Sequence, residues 1–185
     1  MEPLSRSLVQ VHSGFEQMKL AFQETALMWD VTAPVHLILD GPYGYALERF
    51  SDDLRPALIV TDSPSPAYVQ DLVSLKPEGL IIGQIDEHGL FEALERVLKG
   101  ETFYQGPVLK EDDLFPRERE VWRLVVKGMD NAQIAAQIGV SEKTVANYVT
   151  NLRDKLNLNN RVELVLYYLG KLDVASPDPL ADIEA

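Results

Sequence analysis

Residues 143–155 carry the side chains best suited to contact another molecule. Val145, Val149, Leu152 and Leu156 recur at spacings of four, three and four, which is the apolar stripe of a helix with one buried face. The opposite face is small, polar and partly basic, and it carries Lys143, Thr144, Ala146, Asn147, Thr150, Asn151, Arg153 and Lys155. Asn and Thr can reach base edges in a major groove, and Lys and Arg can bind phosphates. We therefore expect this face to be a surface for nucleic acid.

The residues just before that helix predict a second, shorter helix joined to it by a tight turn. Ile134, Ala135 and Ile138 share one face of a helix. Gly139 can adopt the left-handed backbone that ends a helix, and Ser141 can cap the next helix by accepting a backbone N–H. Helix-turn-helix geometry also occurs as a pure packing motif, so a small helical bundle that binds something else is the alternative.

Asp40 is the residue of the first half that most invites a chemical interpretation. It follows the apolar run Val35–Leu39, and Thr61 follows a second run, Ala57–Val60. Ligands in parallel α/β sheets bind at the carboxyl ends of the strands, where both residues lie. The simplest interpretation of Asp40 is that it caps the turn beginning at Gly41.

Other patterns that would indicate catalysis or metal binding are weak. His12, His36 and His88 lack the spacing of a metal site, and the chain contains no cysteine. The Gly41–Gly44 turn lacks the glycine spacing and the Lys of phosphate-binding loops. We therefore expect no metal, no cofactor and no enzymatic activity.

Apolar runs of strand length alternate with amphipathic stretches through the first half of the chain. Strands are predicted within residues 4–13 and at 26–29, 35–39, 57–60 and 79–82, the last of these being the final strand. Helices are predicted from Gly14, at Tyr45–Phe50, from Pro66 and at Glu87–Lys99. Strands separated by helices of this length predict a parallel sheet covered on both faces.

Four segments of the second half together resemble the LuxR/NarL-type helix-turn-helix domain. They are Arg117–Val121, Gly128–Ile134, Ser141–Val145, and Lys155-Leu156 with Asn160-Arg161. The resemblance runs from about residue 114 to 172 and implies an all-α domain of four helices. Their expected ranges are 116–127, 131–138, 141–156 and 161–170, of which the third reads DNA. The resemblance implies a sequence-specific DNA-binding transcriptional regulator.

Carried over position by position, the resemblance assigns roles to the exposed face. The base-facing residues are Ala146, Asn147 and Thr150. The phosphate-binding residues are Lys143, Thr144, Asn151, Arg153 and Lys155, and Asn131 and Arg161 are expected close to the DNA backbone. Family members often have Lys in place of Ala146 and His in place of Tyr148, so this chain has one groove cation fewer.

The fourth helix of such domains commonly forms a dimer contact. Here its apolar stripe consists of Val162, Val165, Leu166 and Leu169. Pairing across a two-fold axis would require an inverted repeat in the DNA. The implied partners are therefore double-stranded DNA with an inverted-repeat operator, a second copy of the chain, and RNA polymerase.

The first half resembles the receiver domain of response regulators, best between Gly79 and Pro107. The resemblance places Asp40 at the phosphoacceptor position, with Asp62 as the alternative acceptor, and Thr61 at the switch hydroxyl. Receivers have an acidic pair after the first strand to bind Mg²⁺, where this chain has His12-Ser13-Gly14, and a Lys after the last strand, where it has Gly83. This implies an atypical pseudo-receiver that serves dimerisation or signal sensing without phosphorylation.

The charge is distributed unevenly between the two halves. The 185-residue chain has a net charge of −12, which alone argues against nucleic-acid binding. Residues 1–107 carry seven basic and 16 acidic side chains, whereas residues 114–172 carry nine basic and six acidic ones. The second half is thus weakly basic, and we expect salt-sensitive DNA binding that benefits from a dimer.

These patterns divide the chain into four parts. A receiver-like α/β domain is predicted at 1–105, a linker at 106–115, the helix-turn-helix domain at 116–172, and a disordered acidic tail at 173–185. Phe115 occupies the cap position of the first helix, so an upstream Asp is expected to cap it instead. No apolar run approaches the ~20 residues that span a bilayer. No signal peptide is recognisable either, so we expect a cytoplasmic protein without membrane contact.

Three functions remain open at this point. The first is a DNA-binding regulator with a pseudo-receiver, and the second is a phosphorylation-dependent two-component response regulator that uses Asp40. The third is a protein-interaction module whose helical domain binds a partner protein.

Overall fold

Five parallel strands form the sheet of the first half of the chain in the computed structural model, which describes residues 8–108 and 113–172. The strands are β1 (Val9–His12), β2 (Val35–Leu39), β3 (Ala57–Thr61), β4 (Gly79–Ile82) and β5 (Phe103–Gln105). Their order across the sheet is the same as their order along the chain. The sheet therefore has no point at which strand order reverses, the usual place for a ligand crevice in open α/β sheets.

Helices cover both faces of this sheet, as predicted. They are α1 (Glu16–Ala26), α2 (Tyr45–Arg49), α3 (Pro66–Ser74) and α4 (Glu87–Leu98), with a 3₁₀ turn at Asp52–Leu54. On one face of the sheet, Phe22 of α1 and Trp29, which follows α1, pack together with α4. They lie over alternate strand residues such as Leu37 and Leu58. Helices α2 and α3 contact each other and cover the opposite face. The receiver-like α/β fold class is thereby confirmed.

Two strand predictions were wrong. Ala26 ends α1 instead of starting a strand, and Met28 beyond it is 84% exposed, so the apolar run 26–29 is a helix end. Gly79–Ile82 is not the last strand, because β5 pairs beyond it with Gly79 opposite Phe103. A Cβ on Gly79 would lie 2.9 Å from the Phe103 ring and 2.7 Å from Leu58, so only glycine allows this close approach.

The free edge of the sheet is occupied by one side chain. Within residues 8–108 and 113–172, strand β1 pairs with β2 alone, and the backbone groups of its other side face no strand of this part of the chain. The Gln23 amide, on α1, accepts a hydrogen bond from the Val11 N–H at 3.1 Å and donates one to the Val9 carbonyl at 2.9 Å. Gln23 thus makes the pair of bonds that a neighbouring strand would make, and it blocks the addition of another strand.

The second half of the chain is a four-helix unit, as predicted. Its helices are α5 (Pro116–Val126), α6 (Asn131–Ile138), α7 (Glu142–Leu156) and α8 (Arg161–Tyr168). Trp122 of α5 is fully buried, and its indole N–H donates to the Leu164 carbonyl at 2.9 Å. Its ring stacks on Tyr167 and meets the edge of Tyr168. Trp122 therefore fastens α8 to α5, a role that sequence analysis did not assign.

The chain divides into two units, residues 1–109 and residues 110–185. Residues 109–112 of the predicted linker and the predicted acidic tail lie outside the described residues. Within the described ranges, no helix combines the length and the apolar character needed to cross a bilayer.

Candidate functional site

Local capping explains why α6 and α7 begin and end where they do. Asp130 and Gln133 form a reciprocal pair, in which each side chain accepts the backbone N–H of the other residue. Gly139 adopts a left-handed backbone with φ of 72° and ends α6. Ser141 accepts the Thr144 N–H at 3.1 Å and so caps α7. These caps fix the turn, and the turn fixes the direction of α7.

The outward face of α7 collects four of the predicted contact residues. Lys143, Asn147, Thr150 and Asn151 are all exposed and recur at spacings of four, three and one, so they share one side of the helix. The opposite side holds the buried residues Val145, Val149 and Leu152. Ala146 is half-buried beside the exposed group. The result is a polar face without any bulky side chain at its centre.

Asp154 lies on this same face and was not singled out in the sequence. It is exposed and stands three residues after Asn151 and four after Thr150. A carboxylate there would repel phosphate, which disfavours a DNA contact at this position of α7. The spacing of Asp154 from Thr150 and Asn151 in the sequence is sufficient to place it on this face.

Arg153 and Thr144 flank the exposed face. Arg153 is half-buried, and its Nε is a buried donor with no hydrogen-bond partner among the described residues. The Thr144 hydroxyl lies 2.8 Å from the Ser141 hydroxyl, so part of its hydrogen-bonding capacity serves the cap. Arg153 and Thr144 are therefore less accessible than the four residues of the exposed face.

Lys155 is engaged inside the unit, contrary to the role that the resemblance gave it. Its ammonium donates to Glu118 Oε2 at 2.7 Å and to the Asp113 carbonyl at 2.8 Å, and it lies over the Phe115 ring at 4.2 Å. An ammonium with these partners is occupied in holding α7 to the start of α5. This arrangement argues for a structural role and against the predicted phosphate contact.

The start of α5 is stabilised by a carboxylate that follows it in the chain. Asp112, one of the two upstream Asp residues, lies outside the described residues. The Glu118 carboxylate accepts the Phe115 N–H at 2.9 Å, while Asp113 contributes its main-chain carbonyl to Lys155. Glu118 is buried with 1% exposure. Its position three residues after the cap is that of a capping-box Glu, a signal present in the sequence but not used.

Asn131 and Arg161 are brought together by the fold. Arg161 donates to the Asn131 side-chain oxygen at 2.9 Å and to the Met129 carbonyl. Burial lowers the pKa of Arg161, although the guanidinium stays charged. These bonds join the start of α8 to the start of α6. Proximity to the DNA backbone therefore remains a prediction for both residues.

The predicted stripe on α8 is not part of the core of the described unit. Val162 is 65% exposed, and Val165, Leu166 and Leu169 are half-buried. The residues of α8 that fill the core are instead Leu164 and Tyr168. An apolar stripe left partly open is the surface that a second copy could cover.

Asp40 lies at the carboxyl end of β2, where its carboxylate is enclosed by three donors. Its Oδ1 accepts the Ala46 N–H at 2.9 Å, and its Oδ2 accepts the Thr61 hydroxyl at 2.8 Å and the Tyr68 hydroxyl at 2.7 Å. Burial raises the pKa of Asp40, and these hydrogen bonds oppose the rise. Both oxygens are thus committed to holding β2, β3 and the start of α2 together.

The surroundings of Asp40 offer little to a phosphoryl group. Position 83, at the end of β4, is a glycine, and Ser13 at the end of β1 uses its hydroxyl on the Gly41 carbonyl. Among the described residues, no group of three or more His, Asp or Glu side chains could hold a metal ion. Tyr68, 28 residues after Asp40, was missed because nothing local in the sequence links the two.

Comparison with known proteins places these two units in a family. Residues 112–168 match the family described as bacterial regulatory proteins, luxR family. The chain is 30% identical over 180 residues to the nitrate/nitrite response regulator protein homolog of Haemophilus influenzae, a match that covers 87% of this chain and 82% of that protein. It is also 29% identical to the transcriptional regulatory protein DesR of Bacillus subtilis, over 65% of this chain and 63% of DesR.

A solved structure of RcsB from Salmonella enterica serovar Typhimurium, bound to promoter rprA, is similar in fold. The TM-score is 0.54 and the identity 18%, over 86% of this chain and 96% of the other. The match to DesR spans less than two thirds of that relative. The Haemophilus influenzae relative and the family match together define the class, and the chain belongs to the LuxR family of bacterial regulatory proteins, of the response-regulator type.

Proposed function

We propose that this protein is a sequence-specific, DNA-binding transcriptional regulator that acts as a dimer. The observation that carries the proposal is the exposed polar face of α7, with Lys143, Asn147, Thr150 and Asn151 on one side of a capped second helix. Family membership supports it, as does the fold that the chain shares with promoter-bound RcsB. The working compartment would then be the cytoplasm, where bacterial DNA lies.

The proposed roles follow from exposure and chemistry. Asn147 and Thr150, with Ala146 between them and the core, face the bases. Lys143, Asn151 and Arg153 bind phosphates, an assignment that rests on their charge or hydrogen-bonding capacity. Thr144, Lys155, Asn131 and Arg161 mainly support the fold, because each hydrogen-bonds within the unit.

The dimer is proposed to form through the open stripe on α8. Burial of Val162, Val165, Leu166 and Leu169 against a second copy would produce two-fold symmetry. Two α7 helices related in this way require an inverted-repeat operator. RNA polymerase remains a predicted further partner. Domain boundaries at 105/106 and 115/116 are part of the same proposal.

A pair of substitutions on α7 tests the DNA-binding roles. Asn147→Ala should reduce the preference for the operator over a scrambled duplex, since a base contact carries sequence information. Arg153→Ala should weaken binding to both duplexes equally and lower the dependence of log affinity on log salt by about 0.9 per lost phosphate contact. Equal loss on both duplexes for Asn147→Ala would contradict base recognition.

We further propose that the N-terminal unit acts without phosphorylation of Asp40. The support is the enclosed carboxylate and the glycine at position 83. Beryllofluoride with Mg²⁺ should leave the oligomeric state and the DNA affinity unchanged. Phosphorylation on Asp40 remains the second candidate, because the Thr61 hydroxyl lies 2.8 Å away as a switch residue would. A change with beryllofluoride that is lost in Asp40→Asn would establish it.

A further inference from the structure

A cleft of about 370 Å³ opens at the carboxyl ends of β2, β3 and β4. This end of the sheet is where α/β folds bind ligands, and the volume is in the range of small-molecule sites. The wall is lined by Met18, Phe22, Leu39, Asp40, Val60, Thr61, Asp62, Gly83, Gln84, Ile85 and Leu90. Six of these eleven residues have apolar side chains, which is unlike a site for Mg²⁺ or phosphate.

The polar groups at the base of the cleft are already satisfied. Asp40 accepts three hydrogen bonds, and the Thr61 hydroxyl donates to Asp40 while accepting the Ser63 N–H at 3.2 Å. Both groups are therefore engaged in hydrogen bonds within the unit. The remaining polar side chains of the wall are Asp62 and Gln84.

Asp62 gives the cleft a negative charge that no protein cation balances. It is exposed, and it has no salt bridge among the residues that the structure describes. Its carboxylate acts on Asp40 and contributes to the raised pKa of that residue. The hydroxyl of Tyr43 lies beside it and donates to the Asp62 carbonyl at 3.5 Å.

Gly83 keeps the cleft open. It has a φ of +114°, and a Cβ placed there would have no atom within 4 Å. A side chain at this position would project into free space, so the absence of one leaves room for a bound molecule. The acidic excess of residues 1–107 adds to the preference for a cation over an anion.

We propose that this cleft binds a small amphipathic cation. Its apolar body packs against Met18, Phe22 and Ile85, and its ammonium group pairs with the Asp62 carboxylate. The inference deepens the proposed function, because it gives the N-terminal unit an input other than phosphorylation, and it rests on that function for its regulatory meaning. The binding of a cation by the cleft does not depend on the proposed function, because it follows from the wall residues and from the Asp62 charge.

Dansylcadaverine is a suitable probe, because it joins an apolar fluorophore to a primary ammonium. Titration of the full chain should give a saturable rise in fluorescence at one equivalent. Asp62→Asn should weaken binding roughly fivefold, as expected for an exposed ion pair. Met18→Lys should abolish binding, since it removes an apolar wall and adds a like charge. Met18 is partly exposed, so this variant should stay folded, which circular dichroism can verify.

Two controls make the result specific. Glu87→Gln removes an exposed carboxylate outside the cleft and should bind dansylcadaverine as the original chain does. Dansylglycine has the same fluorophore with a carboxylate and should bind at least fivefold more weakly. No saturable binding, or equal binding of both probes with no effect of Asp62→Asn, would overturn the proposal.

The outcome is separable from that of the proposed function. Probe binding is measured without DNA, and operator binding is measured without the probe. A chain that binds dansylcadaverine but not DNA would refute the regulator and keep the cleft. If the chain binds its operator, but Met18→Lys binds dansylcadaverine as the original chain does, the proposed cation site is refuted and the regulator is retained.

Discussion

The ammonium of Lys155 lies 2.7 Å from Oε2 of Glu118, a residue with only 1% exposure. The contact joins the last turn of the candidate recognition helix to the first turn of α5. Because Glu118 also accepts the Phe115 N–H, one carboxylate serves both the helix start and the ion pair. The orientation of α7 thus depends on a charge that the sequence pattern had assigned to DNA.

The first prediction separates a structural Lys from a DNA-binding one. Lys155→Met leaves the buried Glu118 carboxylate without its cation and should lower the free energy of unfolding of the C-terminal unit by about 1–3 kcal/mol. Lys143→Met, on the exposed face, should leave stability unchanged and reduce the salt dependence of DNA binding by one phosphate contact. Urea unfolding and salt titrations of both variants provide the comparison. Identical behaviour of the two variants would contradict the assignment.

The sequence predicted those features that depend on neighbouring residues. The caps at Gly139 and Ser141, the stripe of α7 and the strand runs at β2 to β4 all follow from local periodicity and capping chemistry. Strand β5 was missed because three residues carry too little pattern to be recognised. The apolar run at 26–29 was wrongly predicted to be a strand, because its exposed residues lie at the end of a helix.

Long-range contacts account for the remaining differences. The Tyr68 hydroxyl donates a hydrogen bond to the Asp40 carboxylate, 28 residues earlier in the chain. The Lys155 ammonium donates one to Glu118, 37 residues earlier. No periodicity within one element encodes such pairs. The sequence therefore placed Asp40 correctly at a strand end, yet it could not show that both carboxylate oxygens are already engaged.

The second prediction concerns acid stability of the N-terminal unit. His12 Nε2 lies 2.9 Å from His36 Nδ1, and burial, followed by the charges of His36, Arg49 and Lys19, lowers the pKa of His12 to about 4. A His whose folded pKa is lowered stabilises the fold above the unfolded value of 6.5, and that contribution is lost as pH falls toward 4. Because the ring is about half exposed, we expect a loss of only about 1 kcal/mol.

Thermal unfolding at pH 7.5 and pH 5 measures this effect. His12→Gln should lose less stability between the two values than the original chain, and His88→Gln, on the exposed face of α4, should behave as the original chain does. The raised pKa of Asp40 acts in the opposite direction, because its contribution is lost as pH rises. All the variants retain Asp40, so its contribution to the pH dependence of stability cancels when they are compared. An unchanged pH dependence in His12→Gln would refute the assignment.

The third prediction tests how α8 is held. Trp122→Phe removes the hydrogen bond to the Leu164 carbonyl and part of the stack on Tyr167, and it should cost about 1–3 kcal/mol. The loss should appear only in the unfolding of the C-terminal unit. The chain has two tryptophans, so in Trp122→Phe the fluorescence of Trp29 reports the N-terminal unit alone, and calorimetry follows the transition of the C-terminal unit. A shift of the N-terminal transition in Trp122→Phe would count against this separation.

The fourth prediction concerns the free edge of the sheet. Gln23→Leu leaves the Val11 N–H and the Val9 carbonyl without the amide that satisfies them, and it exposes β1 to pairing with another chain. We expect concentration-dependent association, measured by sedimentation velocity, and a stability loss of about 1–2 kcal/mol. Gln17→Leu, on the exposed surface of the same helix, makes the same chemical change without touching β1 and should stay unchanged.

The Gln23 amide also makes the solvent exposure of a β1 backbone group depend on the position of α1. The Val11 N–H is held by a side chain of α1 and not by a strand, so its exchange with solvent deuterium requires only that α1 move away. Amides of β3, enclosed by strands on both sides, exchange only when the sheet opens. The exchange rate at Val11 therefore reports the undocking of α1, one wall of the cleft, in the intact folded protein.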